Sequence, residues 1–351
     1  MNVQKRSVLT AAVCAACIVF IFLSCTAQNA KVRKIAVFVP GITSGNPVYE
    51  MLAAGVSQAV DEYNEHKGLQ KEVQLTIVEA GTNQAEWASQ LAALTASSEY
   101  ELIVSSNPSI PELAEPLTKQ FPNQKFIILD AQFKGGNQIA AVRYNQREQA
   151  YLTGFAAAAV SASNSMKYAN KQKKIALIAG QEYPVMNTVI LPAFIEGAQA
   201  AVADTKVEFR IVGNWYDASK GADIARNLYD EGVDVILPIA GGASQGVIAA
   251  AKELGFYITW FDDNGFSKAP GYVVSSSVME QKRAAYEQTM EYLHGKTVFG
   301  QTKTLGIRDG YIDFILDDPL FEKTVSEDIR MRLASVYKDI QSGMLVLATQ
   351  N

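Results

Sequence analysis

The stretch Val233–Gly246, VDVILPIAGGASQG, decides the fold class of this 351-residue chain. Residues 233–239 are an apolar run with the length and composition of a buried strand. Gly241 and Gly242 follow, and apolar residues at helical spacing then predict a helix over 244–254. A buried strand that ends in a turn and opens a helix is typical of an α/β sheet, whose ligands bind at the carboxyl ends of the strands. The two glycines fit either backbone contact with a ligand or a plain tight turn.

Strand and helix patterns alternate along most of the chain around this stretch. Apolar strand patterns occur at residues 34–39, 73–78, 102–105, 126–129, 139–142, 175–179, 207–212, 257–261 and 272–276. Helical patterns separate most of them, and the end of the chain predicts a hairpin over 304–315 and a last helix over 326–342. This alternation predicts parallel sheets covered by helices. Since one hydrophobic core rarely serves more than about 250–300 residues, we expect two α/β lobes.

The first residues resemble a bacterial lipoprotein signal. A basic start precedes an apolar run over 8–23, which has signal-peptide length and is short for a spanning helix. The run ends in Phe22-Leu23-Ser24-Cys25, which is similar to a lipobox with Phe in place of the commoner Leu. The resemblance implies a signal over 1–24, lipid on the sulfur of Cys25 and a polar tether over 25–33. An uncleaved anchor helix is the alternative, and with either we expect the folded part to be held at the cell membrane, facing the periplasm.

The composition argues against several kinds of site. The three cysteines, Cys14, Cys17 and Cys25, lie within or directly after the apolar run, so disulfides, thiolate metal sites and cysteine nucleophiles are not expected in the folded part. The two histidines, His66 and His294, end polar helices, which leaves little material for a Ser-His triad or a histidine metal site. The 31 basic and 36 acidic residues are mixed without runs, so no nucleic-acid partner is expected. We expect no cofactor, no metal and no catalytic residue.

Several spaced stretches resemble the basic membrane protein family of bacterial solute-binding lipoproteins, which includes the purine nucleoside receptor of spirochaetes. They are AVRYNQREQAYLTG (141–154), GQE (180–182), FIEGA (194–198), GNWYDASKG (213–221), DEGVDVILPIAGGASQG (230–246) and WFD (260–262). The resemblance spans about residues 34–316 and implies a type I periplasmic-binding-protein fold, with two lobes joined by three crossings. It gives an N-terminal lobe at 34–144, to which 262–279 return, and a C-terminal lobe at 145–261, to which 280–351 return. The implied partners are a small-molecule ligand in the cleft and an ABC permease, and we expect a monomer.

The resemblance also implies which residues bind the ligand. The family holds ribose hydroxyls with a carboxylate that matches Asp262, and charge-assisted hydrogen bonds suit vicinal hydroxyls. Aromatic rings stack on the base in the nucleoside receptors, and here Trp215 or Tyr216 would supply one ring and the loop after the first strand the other. The expected ligand-binding residues are Thr43, Asn46, Tyr49, Asn107, Asn145, Trp215, Tyr216, Gly241, Gly242 and Asp262. Polar turns, loop caps and core packing are the structural alternatives for these residues.

The first loop departs from the nucleoside receptors. Residues 41–49, GITSGNPVY, lack the acidic residue and the Ser-Phe-Asn that read the purine edge in that branch. Another spirochaetal branch of the family binds riboflavin, a larger flat heterocycle on a polyol chain, which suits a loop of small residues beside aromatic walls. The expected function is therefore riboflavin binding for an ABC importer, with purine nucleoside binding as the alternative.

An enzyme that acts on such a ligand is a further hypothesis. It would need a general acid or base and a poised nucleophile or water, and only carboxylates remain to serve. The turn GGASQG also lacks the Lys-Ser/Thr pair of a nucleotide P-loop. We therefore expect a binding protein rather than an enzyme.

Overall fold

Two separate six-stranded sheets organise the chain. The computed structural model describes residues 32–66 and 72–347, and the predicted signal, the lipidation site Cys25 and most of the tether lie outside the described residues. Within those two ranges, none of the helices has the length and apolarity needed to cross a bilayer.

The first sheet is parallel throughout and forms the core of one lobe. In spatial order its strands are β11 (Thr302–Leu305), β5 (Ile139–Tyr144), β4 (Lys125–Leu129), β3 (Leu102–Ser106), β1 (Arg33–Val39) and β2 (Val73–Glu79). Strand β1 reads RKIAVFV and is buried from Ile35 onward. Such a near-continuous apolar run is expected where helices cover both faces of a parallel sheet.

The second sheet forms the core of the other lobe and contains the stretch that opened the sequence analysis. Its strands are β12 (Ile312–Phe314), β10 (Val273–Met279), β9 (Tyr257–Trp260), β8 (Val235–Ile239), β6 (Lys174–Ala179) and β7 (Lys206–Ile211). All neighbouring pairs are parallel except β12, which runs antiparallel to β10. The predicted two-lobed α/β fold is therefore confirmed.

Helices connect the strands and cover the sheets. They are α1 (Pro47–Glu65), α2 (Trp87–Ala96), α3 (Ile110–Gln120), α4 (Gln146–Ser161), α5 (Leu191–Ala201), α6 (Ala218–Asp230), α7 (Ser244–Leu254), α8 (Gln281–Leu293), α9 (Pro319–Thr324) and α10 (Glu327–Ser342). As the sequence predicts, α1 begins with Asn46 as its N-cap, whose side chain accepts from the Tyr49 N–H, and with Pro47 as its first residue. Helix α7 ends at Gly255, which has a φ of 84° in the left-handed region.

The chain crosses between the lobes after β5, after β10 and after β11. The sequence analysis expected residues 262–279 to return to the first lobe. Strand β10 instead pairs with β9, so these residues stay in the second lobe. The return begins one element later, because α8 packs against α1 and β11 pairs with β5. From β12 onward the chain again belongs to the second lobe, where α9 packs on β10 and α10 on α4. An apolar pattern predicts a strand but does not report which sheet will accept it.

The predicted hairpin over 304–315 is wrong for the same reason. Its turn does form, since Gly310 has a φ of 71° and the Tyr311 N–H donates to the Gly306 carbonyl at 3.1 Å. The flanking strands β11 and β12, however, lie in different sheets, so this segment is the last crossing between the lobes.

Candidate ligand-binding cleft

Loops at the carboxyl ends of strands from both sheets meet in one region, where ligands of α/β folds bind. Gly41, in the loop after β1, lies between two tyrosines from opposite lobes. A Cβ built on Gly41 would lie 3.0 Å from Cε2 of Tyr49 and 3.1 Å from the hydroxyl of Tyr216. Asp130 follows β4 in the first lobe and Asp262 follows β9 in the second, and the charge of Asp262 contributes to the raised pKa of Asp130. We take this region as the candidate cleft.

Asp262 is held by contacts from the helix that joins the lobes. Its Oδ1 accepts a hydrogen bond of 3.3 Å from Nε2 of Gln149 on α4, and its carbonyl accepts from the Met279 N–H at 3.1 Å. Asp130 has a matching partner one turn earlier on α4, since Nε2 of Gln146 donates to its Oδ1 at 3.2 Å. The same helix therefore orients both carboxyl groups, one from each lobe.

Both carboxyl groups are desolvated by the surrounding protein, although each residue as a whole has intermediate exposure. Burial raises the pKa of Asp262 to about 7, against a smaller lowering by the hydrogen bond from Gln149. Burial also raises the pKa of Asp130 well above its ordinary value, and the negative charge of Asp262 adds to the effect. Tyr183 lies within the influence of both, because burial and the charges of Asp130 and Asp262 raise the pKa of its phenol. Hydroxyl donors of a ligand are suitable partners for such poorly solvated carboxylates.

The neighbouring carboxyl group has a different role. Asp263 accepts from the indole Nε1 of Trp260 at 2.5 Å and forms an ion pair of 3.0 Å with Lys268. The charge of Asp263 is therefore paired within the second lobe. Of the two adjacent aspartates, Asp262 is the one directed to the interlobe helix.

The aromatic residues of the cleft come from both lobes. Tyr49 on α1 is buried, and its hydroxyl accepts from Nδ2 of Asn107 at 3.3 Å. Tyr216 is 37% exposed and extends to Gly41 in the first lobe. An aromatic ligand placed between the lobes would meet these two rings at the mouth of the cleft.

Trp215 is directed into the second lobe, whereas its neighbour Tyr216 is not. Its indole Nε1 donates to Oε1 of Gln181 at 3.0 Å, and its ring centroid lies 6.0 Å from that of Tyr183. The ring also lies against Gly180, where an added Cβ would be only 2.4 Å from Cε3. Both residues lie in a bend, in which the Tyr216 N–H donates to Oδ1 of Asn214 at 2.9 Å, and only Tyr216 extends to the other lobe.

The glycine turn after β8 supports this aromatic segment. Gly241 has a φ of 55°, and a Cβ on it would lie 2.9 Å from the Trp215 carbonyl oxygen. Gly242 lies beside the same segment, and the Ala243 N–H donates to the Trp215 carbonyl at 3.3 Å. Gly241 therefore allows close backbone packing, which is the structural alternative that the sequence left open beside ligand contact, whereas a Cβ on Gly242 would make only ordinary contacts.

Three of the four polar residues expected in the cleft, apart from Asp262, lie on the side of the first lobe. The Thr43 N–H donates to Oε1 of Glu79 at 2.7 Å, and the Thr43 hydroxyl is buried without a partner among the described residues. Asn46 is used as the N-cap of α1, and Oδ1 of Asn107 accepts from the Ser109 N–H at 2.9 Å. These three residues belong to the first lobe's side of the cleft.

Asn145 lies apart from this group, at a crossing between the lobes. Its N–H donates to the Leu305 carbonyl at 2.7 Å, and with Glu148 and Arg308 it lines a recess of about 330 Å³ beneath the C-terminal segment 343–347. Glu148 accepts from the Ile307 N–H at 2.8 Å, and burial raises the pKa of its carboxyl. This geometry assigns Asn145 and Glu148 to the connections between the lobes.

Three residues of the candidate cleft were not in the set predicted from sequence. Asp130 follows a buried strand just as Asp262 does, so the pattern FIILD at 126–130 could have indicated it. Tyr183 and Gln149 had no comparable signal. Their positions near the carboxyl groups depend on how α4 and the loop after β6 pack, which no local pattern reports.

Comparison with known proteins agrees with the fold and identifies the family. Residues 32–345 match the model of the Bmp family, described as "ABC transporter substrate-binding protein PnrA-like". Basic membrane protein A of Borreliella afzelii is 25% identical over 317 residues, covering 88% of this chain and 91% of that protein. The ABC transporter nucleoside-binding protein BmpA of Lactococcus lactis subsp. cremoris is 25% identical over 268 residues, covering 72% of each chain.

A solved structure supports the same architecture. The crystal structure of an ABC transporter system solute-binding protein from Aeropyrum pernix K1 superposes with a TM-score of 0.76 at 21% identity. The superposition covers 91% of this chain and 94% of that one, and at this identity it speaks for the fold alone. On the match of its family model, the chain belongs to the PnrA-like Bmp family of ABC transporter substrate-binding proteins, which makes it a solute-binding component of a transporter and not an enzyme.

Proposed function

We propose that the protein is a monomeric receptor that binds riboflavin and delivers it to the permease of an ABC importer. The observation that carries the proposal is the pair Asp130 and Asp262, one from each lobe, directed into the same poorly hydrated region. The ribityl chain carries successive hydroxyls, so it can donate to two separate carboxylates at once. The more compact ribose offers its vicinal hydroxyls at one place, which a single carboxylate satisfies.

The aromatic residues support a flat ligand between the lobes. Tyr49 and Tyr216 approach Gly41 from opposite sides of the cleft. Offset stacking on each ring contributes about 0.5–1.5 kcal/mol beyond the burial of area, and a tricyclic isoalloxazine offers more area to stack than a purine. The loop 41–45 places small residues and no carboxylate beside these rings. The loop itself therefore leaves room for a large ring.

A purine nucleoside is the second candidate, and a specific observation favours it. The Lactococcus relative is named as nucleoside-binding. Asp262 alone would serve the vicinal hydroxyls of its ribose, and the same tyrosines would stack on its base. The two candidates share every contact except the second carboxylate and the extra ring area.

A fluorescence titration separates the two ligands. We expect riboflavin to lose fluorescence saturably on binding, because stacking on an aromatic side chain quenches the flavin, and we expect adenosine, inosine and guanosine not to reverse the loss. The variant Asp262→Ala should weaken binding by about 1–3 kcal/mol, or roughly ten- to a hundred-fold, because it leaves ligand hydroxyls unpaired. Asp204→Ala, at an exposed carboxylate paired with Lys173, is the control. Nucleoside binding without flavin binding would replace riboflavin by the second candidate.

A substrate-binding protein of an ABC transporter works outside the cytoplasm with a permease, and we propose that a lipid on Cys25 holds this one at the membrane facing the periplasm. The support is the apolar run and the lipobox-like Phe22-Leu23-Ser24-Cys25. Cys25→Ala should abolish incorporation of radiolabelled palmitate and release the protein from the membrane fraction or leave it unprocessed. Cys17→Ala, within the apolar run, should change neither. Unaltered labelling of Cys25→Ala would exclude this anchor.

A further inference from the structure

Gln149 is a fully buried polar residue on the interlobe helix. Its exposed fraction is 0%, and Ala150, Leu152 and the alanines at 156–159 on the same helix are also buried. Its Nε2 donates to Oδ1 of Asp262 at 3.3 Å and to the hydroxyl of Ser277 at 3.2 Å. A buried amide is costly unless all of its polar atoms are hydrogen-bonded, so the partners of both ends need to be identified.

The carbonyl oxygen of the Gln149 side chain has no partner among the described residues. The nearby hydroxyls are used elsewhere, since Thr153 donates to the Gln149 main-chain carbonyl at 2.8 Å and Ser277 to the Trp260 carbonyl at 3.4 Å. Turning the amide over would aim the oxygen at the carboxyl of Asp262, which repels it whenever Asp262 is ionised. The hydrogen-bonded arrangement therefore leaves a free, buried acceptor beside the carboxylate proposed to hold the ligand.

We propose that Gln149 is a specificity-determining residue for the hydroxylated part of the ligand. Its Nε2 fixes Asp262 as an acceptor, and its Oε1 accepts a hydrogen bond from a further ligand hydroxyl next to those that Asp262 holds. The inference rests on the proposed function, because it requires a ligand with hydroxyls at this place. A ligand with the same ring system but no hydroxyls leaves the acceptor unpaired and gains nothing from Gln149.

The test compares two flavins that differ only in the hydroxylated chain. Lumiflavin carries a methyl group where riboflavin carries its ribityl chain. For Gln149→Met, which keeps the size and removes both polar atoms, we expect riboflavin affinity to fall about ten-fold or more while lumiflavin affinity stays as in the wild type. Gln149→Asn, which withdraws the same polar atoms by one methylene, should show the same selective loss and serves if the Met variant does not fold. Gln288→Met alters a buried glutamine on α8, bonded to Glu291, and should change neither affinity.

The outcomes distinguish this inference from the proposed function. Equal loss for both flavins would make Gln149 a merely structural residue and overturn the inference, and so would no loss for either. If the wild type binds no flavin but binds adenosine, the riboflavin assignment fails by itself, and the comparison is repeated with adenosine and adenine. A selective loss for adenosine would then support the role of Gln149. Absence of binding of both pairs to the wild type would overturn the inference together with the proposed function.

Discussion

Asp130 and Asp262 both adopt backbone conformations that residues other than glycine seldom take, with φ of 51° and 78°. Such a conformation costs about 1–3 kcal/mol and persists only where the surrounding structure imposes it. Here the hydrogen bonds from Gln146 and Gln149 hold the two carboxyl groups, and burial raises the pKa of both. Strain and desolvation at the same two residues are expected of a site arranged for a ligand, which is the role that we propose for them.

The raised pKa of Asp262 predicts how stability changes with pH in the absence of ligand. The folded protein keeps the proton up to about pH 7, whereas the unfolded chain loses it near 4. In that window the folded state binds more protons, so the free energy of unfolding falls as the pH rises, by at most about 1.4 kcal/mol per pH unit for this group. Asp262→Asn should flatten the slope and be more stable than the wild type at pH 8, as measured by urea unfolding.

The unfolding experiment needs a control variant and must allow for other buried acids that contribute to the pH slope. Asp223→Asn, at an exposed carboxylate that pairs with Arg226, should leave the slope unchanged. Burial also raises the pKa of Asp234, to about 6, so part of the slope should remain in the Asp262 variant. A wild-type stability that does not fall between about pH 5 and 7 would contradict the assignment of Asp262 as a buried, poorly compensated acid.

At the scale of single elements, local sequence patterns predicted most of the helices and strands. The helix predicted at 244–254 is α7 with those bounds, and strand β1 begins one residue before its predicted start. The small residues of the interlobe helix allow it to pack closely against α5. A Cβ on Gly154 of α4 would lie 2.0 Å from the Phe194 carbonyl oxygen, and one on Gly197 of α5 would lie 1.9 Å from that of Tyr151. These patterns succeed because periodicity and side-chain size act over neighbouring residues.

The errors concern which elements come together. The turn at 308–310 was predicted, but the strands beside it pair with β5 and β10 in different sheets instead of with each other. In the candidate cleft, Asp262 was expected from its place at a strand end, whereas Gln149 was not expected at all. Its function depends on Asp262 and Ser277, which are more than a hundred residues away in sequence. Partners at such separation are set by the packing of the lobes, which the sequence does not report locally.

At the scale of the whole molecule, the two lobes are connected by three short crossings and meet around the cleft. Hydrogen bonds join the first crossing to the third. The Asn145 N–H donates to the Leu305 carbonyl, and the Ile307 N–H donates to the carboxylate of Glu148. Across the cleft, Tyr216 of the second lobe contacts Gly41 of the first. Opposing these contacts, Asp130 and Asp262 repel each other across the lobes when both are ionised. Closure should therefore depend on what neutralises or bridges the two carboxylates.

Small-angle X-ray scattering can test this balance. In the ligand-free protein, we expect the radius of gyration to increase with pH only once Asp130 has ionised as well as Asp262, because like charges of opposite lobes then face each other. A bound ligand donates hydroxyls to both carboxylates, so it should restore the smaller radius at the higher pH. The double variant Asp130→Asn/Asp262→Asn should stay compact over the whole range. Asp204→Asn/Asp217→Asn, which removes two carboxylates from exposed positions of the second lobe, should behave like the wild type. A wild-type radius independent of pH would show that this repulsion does not govern closure.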